Sequence, residues 1–284
     1  MADSGQSAGT GPGPDASAVY SLGSSRQESA RLQLQADDLT ALSGALIGRA
    51  GLRPGQRAID LGCGPRGVLD LLAESVAPGG RVVGVDADPL HATMAAEFAA
   101  GRNLDEVEVL TADARRTGLP GDFFDLVHTR TLLVTIPRPE EVVSEMARLA
   151  RPGGWVMSLE YDMEYALCYP PIPAFERICE IFSVAFRRNG ADPWIGRRVP
   201  ELFRAAGLTG VLTEIQAPVY PPGHPRLTIR ADMVRSMRTH VLQMGLASAA
   251  ELDELDAAVR AHLHAPATIA MSGLAFLVSG RKPA

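Results

Sequence analysis

Lysine is almost missing from this chain. Lys282 is the single example, the other basic residues are arginines, and 27 basic residues face 33 acids for a net charge of −6. Such a chain has no basic stripe for a phosphate backbone, which argues against nucleic acid as a partner. Cysteine is scarce too: Cys63, Cys168 and Cys179 show no CxxC spacing, so neither a disulfide framework nor a zinc site can be read and a reducing compartment fits. No metal is expected, because His262 and His264 stand two apart on a predicted helix and do not share a face. No apolar run of about 18 residues is present and no charged-then-apolar leader opens the chain. The expectation is a cytoplasmic protein without a membrane partner. Aromatics make up only 5%, yet 46% hydrophobic residues over 284 positions are ample for a substantial core.

What is present is organised around Ala58 to Gly67, AIDLGCGPRG, and Val82 to Asp88, VVGVDAD, about one helix further on. A short apolar run broken by one acid, then Gly62, Gly64 and Gly67, reads as strand, turn and helix. Glycine permits positive φ and lets a ligand approach the backbone, while the amides and dipole of a helix starting near Val68 face the same turn. Gly62-x-Gly64-x-x-Gly67 with Asp86 is also the dinucleotide fingerprint. Against that stands Asp60, where strand meets turn. Its charge would repel a pyrophosphate but not a ligand carrying an amino group and a sulfonium.

From Arg57 to Asp162 strand and helix alternate, as in a parallel sheet covered on both faces. Strands are expected at 58–61, 81–85, 107–111, 125–129 and 155–161, and helices at 68–76, 89–100 and 139–150. Ligands in such sheets bind beyond the carboxyl ends of the strands. Met1 to about Ala18 is rich in Gly, Ser, Pro and Ala and reads as a disordered tail. Residues 19–53 read as helical, and 54–284 as the main domain, with insertions at about 163–198 and 217–266. Helices are expected at 174–188, 199–206, 227–244 and 248–264, and strands at 211–215 and 274–279.

DLGCG followed by GVDAD resembles the class I S-adenosylmethionine-dependent methyltransferases. FDLVHTRTLLVTIPRPEEVVSEMARLARPGGW extends the likeness through the fourth strand and the turn before the fifth, so it covers the whole domain. Tyr20-Ser21-Leu22-Gly23 with Glu28, Arg31, Leu32 and Gln35 resembles an N-terminal signature of bacterial small-molecule members. The resemblance implies a Rossmann-like, doubly wound α/β fold of seven strands, the last antiparallel, with helical lid insertions. It implies S-adenosylmethionine as cofactor. Asp60, Gly62 and Gly64 would hold its methionine part, with the backbone of Thr129 and Arg130, and Asp86 with Ala87 would hold the ribose. Asp113 and Ala114 would bind adenine, and Tyr20 and Arg31 would close a lid over the site.

The acceptor implied is a small, fairly hydrophobic secondary metabolite, since the insertions where the family builds its pocket are apolar and aromatic. Methyl transfer from a sulfonium needs mainly alignment in a dry pocket. An acceptor of high pKa also needs a base, for which His128 and Glu160 stand at strand ends, with Asp162 and His224 behind them. Neither acceptor atom nor base can be chosen from these residues, and a homodimer is left open. Three other readings stay open: a cofactor-dependent cyclase or rearrangement catalyst, an NAD-dependent oxidoreductase, and a noncatalytic binding module.

Overall fold

The computed structural model describes residue 32 and residues 36–284. The expectations for the tail and for Tyr20 and Arg31 therefore lie outside the described residues. Seven strands form one sheet in the order β3-β2-β1-β4-β5-β10-β7. They are β1 Arg57–Leu61, β2 Arg81–Asp86, β3 Val107–Thr111, β4 Phe124–Arg130, β5 Ala150–Asp162, β7 Thr209–Gln216 and β10 Leu274–Arg281. The first five run parallel, whereas β10 is antiparallel to both β5 and β7. The expected seven-stranded Rossmann-like sheet with an antiparallel final strand is thus observed.

Chain order reverses direction across the sheet at β1, which has β2 on one side and β4 on the other. Register aligns Leu61 with Val85 and with Thr129, so the carboxyl ends of these strands share one edge. A switch point of this kind leaves a crevice at that edge.

Alternation along the strands decides which helices each side chain meets. Ile59, Leu61, Val83 and Val127 enter the core shared with α4 Pro139–Leu149. Ala58, Val82 and Leu126 enter the opposite core, with α1 Thr40–Gly48 and α2 Leu69–Val76. In α2, Leu69, Leu72 and Val76 recur at helical spacing and are fully buried, each contributing about 2 kcal/mol of transfer energy. Helix α3, Pro89–Gly101, starts where Asp88 accepts a hydrogen bond from the Leu90 amide (2.8 Å) and Pro89 supplies a preset φ.

Beyond β5 the chain differs in detail from the expectations. Helices α5 Pro173–Arg188 and α6 Ile195–Ala205 follow. The single helix expected over 227–244 is instead a 3-10 turn, Pro225–Thr228, then α7 Ile229–Ser236 and α8 Arg238–Gln243, with Met237 at φ −91° and ψ 6° between them. Helix α9 spans Ala249–Leu263. A three-stranded sheet, β6 Leu167–Tyr169, β9 Ile269–Met271 and β8 Val219–Tyr220, ties the two inserted segments together. No expectation covered it, because strands of two or three residues are too short to show alternation. Among the described residues no helix is long and apolar enough to cross a membrane, and no cluster of metal-ligating side chains forms.

Candidate functional site

A cavity of about 520 Å³ opens at the carboxyl edge of the sheet, at the switch point. Its first end is made by Gly62, Gly64, Asp86, Ala87, Asp113 and Ala114, which are the strand-end residues of β1, β2 and β3. Arg130 and Leu132, at the end of β4, form the middle, and the far end is built by β5 and α7.

The turn after β1 is held from beneath. Asp60 shares its face with Ala58, so it points toward α2 and not into the cavity. It is 1% exposed, accepts a hydrogen bond from the Val68 amide (3.1 Å), and lies 2.8 Å from His128 Nδ1 through its other oxygen. Gly67 takes φ +57°, and a Cβ there would lie 2.2 Å from Asp60 Oδ2 and 2.8 Å from the Cys63 carbonyl. Glycine is therefore required both by its φ and by the acid packed beneath it. Where the sequence leads us to expect a ligand contact, the Asp60 carboxylate instead pins the turn and the start of α2.

Asp86 does face the cavity. One oxygen accepts from the Gly64 amide (2.8 Å) and the other from the Asp88 amide (2.9 Å), while His91 Nδ1 stands 3.8 Å away. A carboxylate has about four lone-pair directions, so two protein donors fix it and leave acceptor capacity. Asp113 also lines the cavity, but the Arg115 side chain grips both its oxygens at 2.6 to 3.0 Å. That pairing holds the Asp113 carboxyl below its usual range.

His128 and Glu160, expected as candidate bases, both lie outside the cavity lining. His128 follows Leu126 on the α2 face, is fully buried, and does not line the cavity. Glu160, also fully buried, accepts from the amides of Leu132 (3.0 Å), Leu133 (2.9 Å) and Val134 (3.3 Å). It caps the turn that follows β4. Burial pushes its carboxyl up to about 8 against the downward pull of those amides. Asp162 is bound by the Arg197 side chain and the Glu164 amide, and His224 accepts from the Arg226 amide (3.2 Å) and stacks on Tyr220.

Thr129 is buried, with its hydroxyl donating to the Leu61 carbonyl (2.9 Å), so it ties β4 to β1. Arg130 is a different case. Its guanidinium donates to the Ser43 hydroxyl (3.0 Å) and the Gly67 carbonyl (2.9 Å), and among the described residues it makes no ion pair. Burial lowers its pKa, so the site carries a desolvated cation beside the glycine turn.

Residues that the sequence reading did not select complete the far end: Tyr161, Met163, Phe186, Arg226, Arg230 and Met233. They come from three separate chain segments and carry no shared motif. Tyr161 ends the predicted fifth strand, which is the one signal that could have found it.

Fold and site together define an α/β enzyme-like body with a ligand crevice at its switch point, acidic acceptors at one end and, at the other, an apolar wall that carries two arginines. Residues 59–158 match the family model described as a methyltransferase domain. Over 172 residues the chain is 32% identical to demethylmenaquinone methyltransferase of Bacillus cereus, covering 56% of this chain and 73% of that protein. It is 42% identical over 103 residues to nocamycin O-methyltransferase of Saccharothrix syringae, covering 36% of each. A solved putative methyltransferase of Bacillus halodurans shares the fold, with TM-score 0.58 and 17% identity over 84% of this chain and 98% of that one. The chain spans about half the length or less of the first curated relatives it matches, 53% and 36%. It belongs to the class I S-adenosylmethionine-dependent methyltransferases, whose cofactor is S-adenosylmethionine.

Proposed function

We propose that the protein transfers the methyl group of S-adenosylmethionine to an oxygen, nitrogen or carbon atom of a small, largely apolar metabolite, as a methyltransferase of class EC 2.1.1. The observation that carries this reading is the single cavity joining the strand-end acids and glycines to the apolar chamber under α7.

The donor set fits the cofactor. A ribose diol needs an ionised acceptor with spare lone pairs, which Asp86 supplies. Gly62, Gly64 and Ala87 let the cofactor lie against the backbone. A methionine carboxylate needs a cation, which Arg130, hydrogen-bonded only to the neutral Ser43 hydroxyl and Gly67 carbonyl among the described residues, supplies at the glycine turn. Asp113 and Ala114 border the adenine, although Arg115 already occupies much of the Asp113 carboxylate. Bound S-adenosylmethionine supplies an electrophilic methyl group on a sulfonium.

The chain's own part is to orient the acceptor and keep water out. Met163, Phe186, Ile229 and Met233 make a wall of low polarity for that purpose. His128 and Glu160 do not line the cavity, which favours an acceptor that arrives already nucleophilic.

The test is isothermal titration with S-adenosylmethionine, S-adenosylhomocysteine and NAD, followed by mass spectrometry of acceptor mixtures incubated with isotopically methyl-labelled cofactor. Binding of the first two and appearance of label in a small molecule is the expected result. Binding of NAD alone would turn the reading toward hydride transfer. Product formed with no label in it would turn it toward rearrangement chemistry.

A further inference from the structure

The far end of the cavity holds two buried guanidinium groups with too few partners. Arg226 is 6% exposed and Arg230 is 2% exposed, and both line the cavity. Among the described residues the buried Nε and Nη1 of Arg226 meet no hydrogen-bond acceptor, and its guanidinium lies 5.7 Å from the Tyr161 and Tyr220 ring centroids. Arg230 donates to the Ser272 and Met163 carbonyls and to Met163 Sδ, but among the described residues its Nε is unpartnered. Among the described residues neither forms an ion pair. Asp38 attracts Arg226 at longer range, yet burial raises the Asp38 carboxyl and one of its oxygens has no partner.

Two neighbouring hydroxyls are in the same condition. Tyr161 Oη and Ser272 Oγ are buried and line the same cavity, and among the described residues neither meets a partner at full hydrogen-bond geometry, with Tyr220 close to Tyr161. All of these groups can donate. The acids that line the cavity, Asp86, Asp88 and Asp113, belong to the opposite end. A buried cation without a counter-charge costs several kcal/mol in general, and two side by side repel as well: burial lowers the Arg230 pKa and the neighbouring Arg226 charge lowers it further.

We propose that Arg226 and Arg230 form the seat of an anionic oxygen group on the methyl acceptor, a carboxylate or phosphate attached to an apolar body. This rests on the methyltransferase reading. The two guanidiniums, with Tyr161 and Ser272 beside them, supply the charge and donors that an oxyanion needs. Phe182 lies under the Arg230 guanidinium at 4.3 Å and, with Met163 and Met233, provides the apolar surroundings that exclude water from the pair. The acceptor is therefore recognised by charge at one end and by apolar surface along its length.

The experiment is calorimetric binding of octanoate and hydrocinnamate, their primary amides, and octyl phosphate to the full chain saturated with S-adenosylhomocysteine. Wild type is compared with Arg226→Gln, Arg230→Gln and the two lysine variants. At least one anion should bind about tenfold or more tighter than its neutral counterpart. The glutamine variants should abolish that preference and the lysine variants should restore part of it, with S-adenosylhomocysteine affinity held within about twofold. Preference for octanoate or for octyl phosphate separates the two head groups. Equal binding of acid and amide, or no binding of any anion, overturns the proposal. So does a loss of S-adenosylhomocysteine affinity in both the glutamine and lysine variants, which would assign the arginines to the cofactor. Wild type that fails to bind S-adenosylhomocysteine at all would instead refute the methyltransferase reading, and circular dichroism of each variant identifies any that does not fold.

Discussion

Asp60→Ala separates a support for the turn from a contact with the ligand. In the structure the carboxylate holds the Val68 amide at 3.1 Å and the His128 ring at 2.8 Å, both inside the protein. Alanine leaves two buried polar groups without partners, at about 1 to 3 kcal/mol each. The sum is about 2 to 6 kcal/mol, before any cost of the small void beneath Gly67. For a chain of this size that corresponds to a melting temperature lower by about 5 to 20 °C. Asp60→Asn should lose less, because its carbonyl can serve Val68 while its amide donates to a His128 ring protonated on the other nitrogen. Thermal and denaturant unfolding followed by circular dichroism measures the loss, and titration with S-adenosylhomocysteine well below the melting temperature measures affinity. Stability should fall steeply in the alanine variant, and affinity should fall by less than about threefold. A melting temperature within about 2 °C of wild type together with an affinity loss beyond about tenfold would refute the reasoning and put Asp60 in contact with the cofactor.

Asp86→Ala should weaken S-adenosylhomocysteine binding by about ten- to a hundredfold through loss of a charge-assisted acceptor, and unchanged affinity by titration would remove it from the ribose site. Gly67→Ala should cost more than about 2 kcal/mol, since a Cβ at 2.2 Å from Asp60 Oδ2 is added to an unfavourable φ; denaturant melts that match wild type would show that the turn relaxes freely. Glu160, raised to about 8, keeps a proton in the folded state that the unfolded chain has released, so its stabilising contribution is complete below about pH 4.5 and is lost as the pH rises toward 8. The shift bounds that loss at about 5 kcal/mol, and the decline of melting temperature between about pH 5 and 8 should be shallower in Glu160→Gln; identical slopes would mean that Glu160 is ionised throughout.

The first end of the site was legible because its chemistry is carried by local pattern. The β1 turn needs glycine at a given spacing, Asp86 ends an apolar strand, and Asp88-Pro89 marks a helix start, so each can be placed without knowing what packs against it. Facing is harder to read than placement. Asp60 and His128 were correctly put at strand ends, but their direction depends on which parity of β1 and β4 meets α2. Both strands are buried on two faces and therefore lack the alternation that would have revealed it. Glu160 shows the same limit: an acid in strand five looks like a base until the loose amides of the turn at 132–134 are seen to need an acceptor. The far end of the cavity was illegible for a different reason. Arg226 and Arg230 are four apart, a spacing shared by countless solvated helix faces, and an arginine-rich chain offers many such pairs. Only the closure of β5, α5 and α7 around them turns an ordinary surface pattern into two desolvated cations. On the proposed reading, acceptor recognition rests on residues whose spacing says nothing by itself, while the glycine turn and the strand-end acids are placed by spacing alone.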